Sequence, residues 1–200
     1  MKEPLESCMD FSPLFNHDNA IYFEKTKFVR MKNVRAVEFV ALRNKNDMCF
    51  VEAKRTAPNV KNPGDANKVN EFFHELVEKI QQSLDLYVSN VLDINRDTFN
   101  EFPLSMTKVN FSDCKLRYLV VIAKSEDEWC GDVHEELMKK LIPLRKIWGI
   151  EITVLTGEQA INMGYASRFI CKLDKTIWTG YPDCPRDDGY CMAKHYEEQQ

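Results

Sequence analysis

Three charged residues stand in segments of the sequence that are otherwise apolar. Glu38 lies in the apolar run 35–42, and Glu52 and Lys54 lie in the apolar run 48–54. If both runs are β-strands, alternate side chains point to opposite faces, so Glu52 and Lys54 share one face of their strand. Because a buried charge without a partner costs several kcal/mol, these three positions are the first candidates for a functional site.

The turn between the two runs decides whether these groups meet. Residues 43–47 are polar and have the length of a hairpin turn, which predicts antiparallel pairing of the two strands. If the turn centres on its third or fourth residue, Glu38 faces Glu52 or Lys54 across the ladder, about 5 Å away. A slip of one residue would move Glu38 to the opposite face.

Two carboxylates this close repel each other, and one lysine offsets only part of that repulsion. A divalent cation would resolve the conflict, because Mg²⁺ takes one or two carboxylates, keeps waters and accepts phosphate oxygens. A water activated there can attack phosphorus, and a lysine can orient that water or stabilise the phosphate charge. We therefore predict Glu38 and Glu52 as ligands of Mg²⁺ or Mn²⁺, and Glu38, Glu52 and Lys54 as the catalytic group.

Glu38 and, fourteen residues later, the tripeptide Glu52-Ala53-Lys54 resemble the signature of the PD-(D/E)xK, or restriction-endonuclease-like, nucleases. In that superfamily an acid at the end of the second core strand is followed, across a hairpin, by D/E-x-K on the third. The resemblance covers roughly residues 22–155 and points to a small bacterial branch. Glu38 stands where the family usually has Asp. The resemblance implies an α/β fold with an αβββαβ core, a central mixed sheet flanked by helices.

The same resemblance implies a Mg²⁺-dependent endonuclease that hydrolyses phosphodiester bonds of nucleic acid, with DNA favoured over RNA. Small nucleases of this kind resemble subunits of antiviral defence or mobile-element systems, so a homodimer or a partner protein subunit is expected. Three alternatives stay open. One is an inactive nuclease-fold protein that serves as an interaction or scaffold subunit, the second is an RNA-cleaving enzyme, and the third is a structural ion pair at a sheet edge.

Composition limits the other possibilities. The 200 residues are 44% hydrophobic and 29% charged, which is typical of one globular domain rather than a disordered chain. The formal net charge of −4 means that nucleic acid must be held by a local basic patch. The residues predicted to form that patch are Lys25, Lys27, Arg30, Lys32, Arg35 and Arg55. The alternative is an edge strand protected from pairing by its lysines.

Hydrophobic periodicity predicts the remaining elements. In chain order they are a short helix at 5–15, strands at 21–29, 35–42 and 48–54, a helix at 67–92, a strand at 116–123, a helix from 125 to 148 interrupted at Pro143, a strand at 150–155 and a helix to 163. We predict one domain over 1–200, with its core at about 20–165 and an irregular extension at 166–200. On the long helix, Glu75 and Lys79 are assigned to the solvent side and Tyr87 to the core. Ser83 is a candidate to face the metal, and either Gln81 or Gln82 is a candidate to bind a metal-bound water.

The seven cysteines and the polar N-terminus predict reduced thiols in the cytoplasm, with no membrane association. No run approaches the roughly 20 apolar residues that a membrane span needs. Four potential metal ligands near the C-terminus are too widely spaced for a common zinc finger. They are Cys171, Cys184, Cys191 and His195.

Overall fold

The computed structural model describes residues 4–15, 18–94, 101–170 and 177–178, and its centre is a five-stranded sheet. The strands of this main sheet are β3 Ala20–Tyr22, β4 Phe39–Arg43, β5 Asp47–Lys54, β6 Lys115–Ile122 and β7 Glu151–Thr156. They lie side by side in chain order. β3, β4 and β5 pair antiparallel, whereas β5, β6 and β7 pair parallel. The predicted mixed α/β sheet is therefore confirmed.

Helices flank the main sheet. Their bounds are α1 Lys27–Lys32, α2 Ala66–Val91, α3 Leu104–Thr107, α4 Asp127–Lys140, α5 Ile142–Trp148 and α6 Gly157–Asn162, with 3-10 turns at Ser12–Phe15 and Pro63–Asp65. On one face, Phe50 of β5 shares an apolar cluster with Leu76 of α2 and Val133 of α4. On the other face, Val51 of β5 clusters with Ala160 of α6. Both faces of β5 are thus covered, as a central strand requires.

A small second sheet covers part of the α6 side. Its strands are β1 Leu5–Glu6, β2 Met9–Asp10, β8 Arg168–Ile170 and β9 Ile177–Trp178, in the order β1-β2-β8-β9 and antiparallel throughout. Buried Met9 and Phe169 join the apolar cluster of that face. The predicted helix at 5–15 is therefore wrong, because β1 and β2 form a hairpin there. β8 and β9 lie within the extension that was predicted to be irregular from residue 166; residues 171–176 and 179–200 lie outside the described ranges.

The register of the β4–β5 hairpin agrees with the predicted pairing of Glu38 with Glu52. Asn44 and Lys45 take positive φ angles of 48° and 67°, and the N–H of Asn46 donates to the carbonyl of Arg43 at 3.2 Å. Phe39 pairs with Val51, so the turn centres on its third residue. The same register, continued by one residue beyond β4, places Glu38 opposite Glu52.

Two predicted strands differ from the structure. The strand at 21–29 ends at Tyr22, and Lys27–Lys32 form α1, which buries Val29 and ends at Asn33 in a left-handed conformation. A helix of six residues that buries few side chains shows too little hydrophobic periodicity in its sequence to be distinguished from a strand. The strand at 35–42 begins only at Phe39. The long helix, the break before Pro143, β6, β7 and α6 match their predictions.

Within the described ranges, no helix combines the length and the apolar character that crossing a bilayer requires.

Candidate active site

The site begins with Glu52, which lies near the end of β5 in the middle of the main sheet. Its side chain is 0% exposed, and Val120 of β6 pairs with it in the ladder. Because β5 alternates its side chains, Phe50, Glu52 and Lys54 point to the face that α2 covers. The apolar neighbour Phe50 is buried there with residues of α2, so the carboxylate of Glu52 lies between sheet and helix.

Two lysines contact one oxygen of Glu52. Lys79 of α2 donates to Glu52 Oε1 at 2.8 Å, and Lys54 Nζ lies 3.1 Å from the same atom. Lys54 also donates to Glu75 Oε1 of α2 at 2.7 Å. The structure thus brings Glu52 and Lys54 together, and it adds two residues from α2 that the sequence analysis had placed on the solvent side.

Glu38 joins this group through Lys79. Its Oε1 lies 3.7 Å from Lys79 Nζ, and its side chain is only 13% exposed. The main chain before it is anchored to α2, because Val37 N–H donates to Ser83 Oγ at 2.9 Å and Arg35 N–H donates to Gln82 Oε1 at 2.6 Å. Ser83 and Gln82 therefore hold the main chain of the segment that carries Glu38.

Four carboxylates surround the two lysines. They are Glu24, Glu38, Glu52 and Glu75, all within 3.7 Å of Lys79 Nζ. We call these six side chains, Glu24, Glu38, Glu52, Lys54, Glu75 and Lys79, the charge cluster. If all were ionised, four negative charges would face two positive charges. Solvent can screen Glu24 and Glu75, which are partly exposed, but Glu38 and Glu52 are largely buried, so a proton or a further cation is favoured beside them.

The protonation equilibria reflect the same excess. Burial, with the charges of Glu52 and Glu24, raises the pKa of Glu38 from 4.5 to about 9. Burial also raises the pKa of Glu52, although Lys79 and Lys54 oppose the shift. Burial by itself would lower the pKa of Lys79, but Glu52 and Glu38 outweigh it and hold that pKa above its ordinary value. Lys79 therefore stays charged at neutral pH while Glu38 retains a proton.

One oxygen in the cluster has no partner among the residues that the structure describes. Glu52 Oε2 is buried and accepts no hydrogen bond from them, while Oε1 is contacted by both lysines. A buried carboxylate oxygen without a donor is costly, so an additional cation or donor is expected beside it. Two carboxylates and an open oxygen suit Mg²⁺, which prefers oxygen ligands and needs only one or two from the protein. Over the described residues, no three His, Cys, Asp or Glu side chains form a group that could hold a metal ion by themselves.

Lys79 and Glu75 were not predicted as residues of the site. Lys79 lies three residues after buried Leu76 and four before buried Ser83, so it belongs to the inward stripe of α2. A charged residue at the spacing of the buried side chains was the feature of the sequence that could have identified Lys79 as part of the site. Tyr87, predicted to be core, is fully buried, and its hydroxyl donates to the carbonyl of Met106 at 2.6 Å.

The residues predicted to bind phosphates occupy several places. Three lie exposed on α1, which is a helix rather than the alternative edge strand: Lys27, Arg30 and Lys32. Lys25 donates to Glu6 at 3.2 Å, and Arg35 pairs with Glu78 at 3.1 Å. Arg55 is half-buried directly after β5. At least two of the six cations are thus already paired with acids.

The four described cysteines, Cys8, Cys49, Cys114 and Cys130, are free thiols, as the sequence analysis predicts. The four widely spaced C-terminal residues, Cys171, Cys184, Cys191 and His195, lie outside the described ranges.

Comparison with known proteins identifies no relative: no family model, curated protein or solved structure matches this chain.

Proposed function

We propose that this chain is a Mg²⁺-dependent nuclease that hydrolyses phosphodiester bonds, with DNA favoured as the substrate. The observation that carries the proposal is Glu52, a carboxylate that is 0% exposed in a central strand and has one unpartnered oxygen beside Glu38 and Lys54. Natural proteins rarely bury such a group without a functional reason. A divalent ion bound by Glu38 and Glu52 is the simplest reason that the chemistry of the cluster offers.

The order of the strands supports a restriction-endonuclease-like core. Three antiparallel strands, β3, β4 and β5, are followed by α2 and by β6, which returns parallel to β5. The acid directly before β4 and the Glu-x-Lys at the end of β5 then fall on one face of the hairpin. One difference is α1, which is inserted between β3 and β4.

The residues of the charge cluster would have different roles in catalysis. Glu38 and Glu52 would hold the ion, which supplies an activated water and neutralises charge on the phosphate. Lys54 Nζ is already fixed between Glu52 and Glu75, so its free hydrogen-bonding capacity can be directed at a phosphate oxygen or at the attacking water. Ser83 and Gln82 keep Glu38 in place by binding the main chain before it.

An open groove beside the cluster offers room for the substrate. It has a volume of about 870 Å³, and Glu75 lines it together with Arg35, Lys68 and His74. The cations on its wall could contact phosphates, which position a nucleic acid without reading its sequence. Arg35 and Lys68 are ion-paired with Glu78 and Asp65 on the protein surface, so a phosphate would have to share or replace these acids.

The test is cleavage of plasmid DNA, and in parallel of duplex RNA, with Mg²⁺, with Mn²⁺ and with chelator. We expect cleavage only with a divalent ion, and a loss of about a hundredfold or more in Lys54→Ala. Lys139→Ala is the matched control, because Lys139 is an exposed lysine on α4, remote in sequence from the cluster. Cleavage that persists in chelator and in Lys54→Ala would remove the proposal.

A scaffold protein with a nuclease-like fold is the second candidate, and one observation favours it. Lys79 already occupies the space between Glu38 and Glu52, so the cluster could be a permanent ion-pair network. Thermal unfolding separates the two candidates, because a ligand of the folded state raises the melting temperature. An unchanged melting temperature at millimolar Mn²⁺ would favour the scaffold.

A further inference from the structure

Lys79 is the most highly contacted member of the charge cluster. Its Nζ lies 2.8 Å from Glu52, 3.6 Å from Glu75, and 3.7 Å from both Glu38 and Glu24. Lys54, by comparison, contacts Glu52 and Glu75. The ammonium of Lys79 therefore lies where the carboxylates of β4 and β5 converge, which is also where a shared divalent ion would be bound.

We infer that Lys79 is an internal counter-ion that competes with the divalent metal for Glu38 and Glu52. This inference rests on the proposed function, because it assumes that the two carboxylates are metal ligands. In the metal-free protein the ammonium lies between the two side chains, 2.8 Å from Glu52 Oε1 and 3.7 Å from Glu38 Oε1. When a metal binds Glu38 and Glu52, it must enter the place beside both side chains that the ammonium occupies, and the two positive charges repel, so Lys79 weakens metal affinity.

The cluster provides a second position for the displaced ammonium. Glu24 and Glu75 have side chains that are 44% and 34% exposed, whereas Glu52 is 0% exposed, so they form the outer rim of the cluster. A lysine side chain is long and flexible, and both rim carboxylates are already within 3.7 Å of Lys79. A small outward rotation therefore keeps Lys79 paired while it frees the inner carboxylates.

Among the described residues, Glu52 Oε2 is buried and has no hydrogen-bond partner, so the innermost carboxylate can still accept a ligand. Lys79 and Lys54 both contact Oε1, and neither reaches Oε2. The two lysines thus leave half of the innermost carboxylate without a donor. A ligand that binds both carboxylates would partner Oε2, which the lysine cannot do in the observed arrangement.

Mn²⁺ binding, followed by electron paramagnetic resonance without nucleic acid, tests the inference. We expect Lys79→Met to bind Mn²⁺ at least tenfold more tightly than the wild type. Lys79→Arg keeps the positive charge and should restore weak binding. Lys139→Met, which removes an exposed lysine of α4, should leave the affinity unchanged. In chelator, Lys79→Met should melt at a lower temperature than the wild type, and Mn²⁺ should close that gap.

Other results would overturn the inference. A gain in Mn²⁺ affinity below tenfold in Lys79→Met, or no binding by that variant at millimolar Mn²⁺, would show that the lysine does not compete with the ion. If Lys79→Met is unfolded in chelator, circular dichroism decides: recovery of helical signal with Mn²⁺ supports the inference, and its absence refutes it. Cleavage is a separate readout. A protein that binds Mn²⁺ more tightly as Lys79→Met but never cuts nucleic acid would refute only the nuclease, and a nuclease whose affinity ignores Lys79 would refute only the inference.

Discussion

Replacing Glu38 with glutamine should make the stability of the metal-free protein less sensitive to pH. Glu38 is largely buried beside Glu52 and Glu24, and these surroundings raise its pKa from 4.5 to about 9. In the unfolded chain the carboxyl titrates near its ordinary value. Between the two pKa values, the folded state therefore holds a proton that the unfolded state has released.

The sign and the size of the effect follow from proton linkage. A pKa that is raised in the folded state stabilises the protein fully below pH 4.5, and this contribution is lost as the pH rises toward about 9. Each pKa unit corresponds to about 1.4 kcal/mol. Between about pH 5 and pH 8, Glu38 should therefore cost roughly 4 kcal/mol of unfolding free energy. The glutamine side chain of the Glu38→Gln variant carries no charge at any of these pH values, so this loss should disappear.

Urea denaturation in chelator at a series of pH values measures the effect. We expect the unfolding free energies of wild type and Glu38→Gln to converge near pH 5, and the variant to be the more stable protein at pH 8. Glu135→Gln, an exposed position on α4, should follow the wild-type curve. A wild-type stability that is flat or rising over this window, or an equal slope in Glu38→Gln, would refute the assigned environment of Glu38.

Three further substitutions test the positioning of the site and the packing around it. Ser83→Ala removes the acceptor of the buried Val37 N–H and should cost about 1–3 kcal/mol in urea denaturation; a change near zero would mean that this bond does not hold the Glu38 segment. Gly157→Ala would place a methyl group 2.8 Å from the carbonyl oxygen of Ala123, so the variant should lose about 1–3 kcal/mol of unfolding free energy and melt at a lower temperature. An unchanged melting temperature would contradict the close approach. Tyr87→Phe loses one buried hydrogen bond and should cost about 1 kcal/mol at the urea midpoint, whereas equal midpoints would show that the bond adds nothing.

The hairpin of the site was predictable because its signals are local. Polar residues 43–47 limit the turn to a few lengths, and each length fixes which side chains face each other. The long amphipathic helix and the apolar strand of β6 were predictable for a similar reason, since both repeat one pattern over many residues. These elements alone place Glu38, Glu52 and Lys54 on one face of the sheet.

The contribution of α2 to the site depends on tertiary packing and was not predicted. Lys79 and Glu75 look like ordinary surface charges in a helix rich in Glu and Lys, and only the covering of β5 by α2 turns them inward. The short elements were predicted wrongly for another reason. The six residues of α1 and the two-residue strands β1 and β2 have too few side chains to show a period, so their structure is decided by what they pack against.

The most direct test is a crystal soaked in millimolar Mn²⁺ and measured for anomalous scattering. We predict one anomalous peak for a Mn²⁺ ion that lies about 2.1 Å from an oxygen of Glu38 and from an oxygen of Glu52, with Lys79 rotated toward Glu24 or Glu75. A map without a peak between these carboxylates, in which Lys79 still donates to Glu52, would contradict the metal centre on which the proposed function depends.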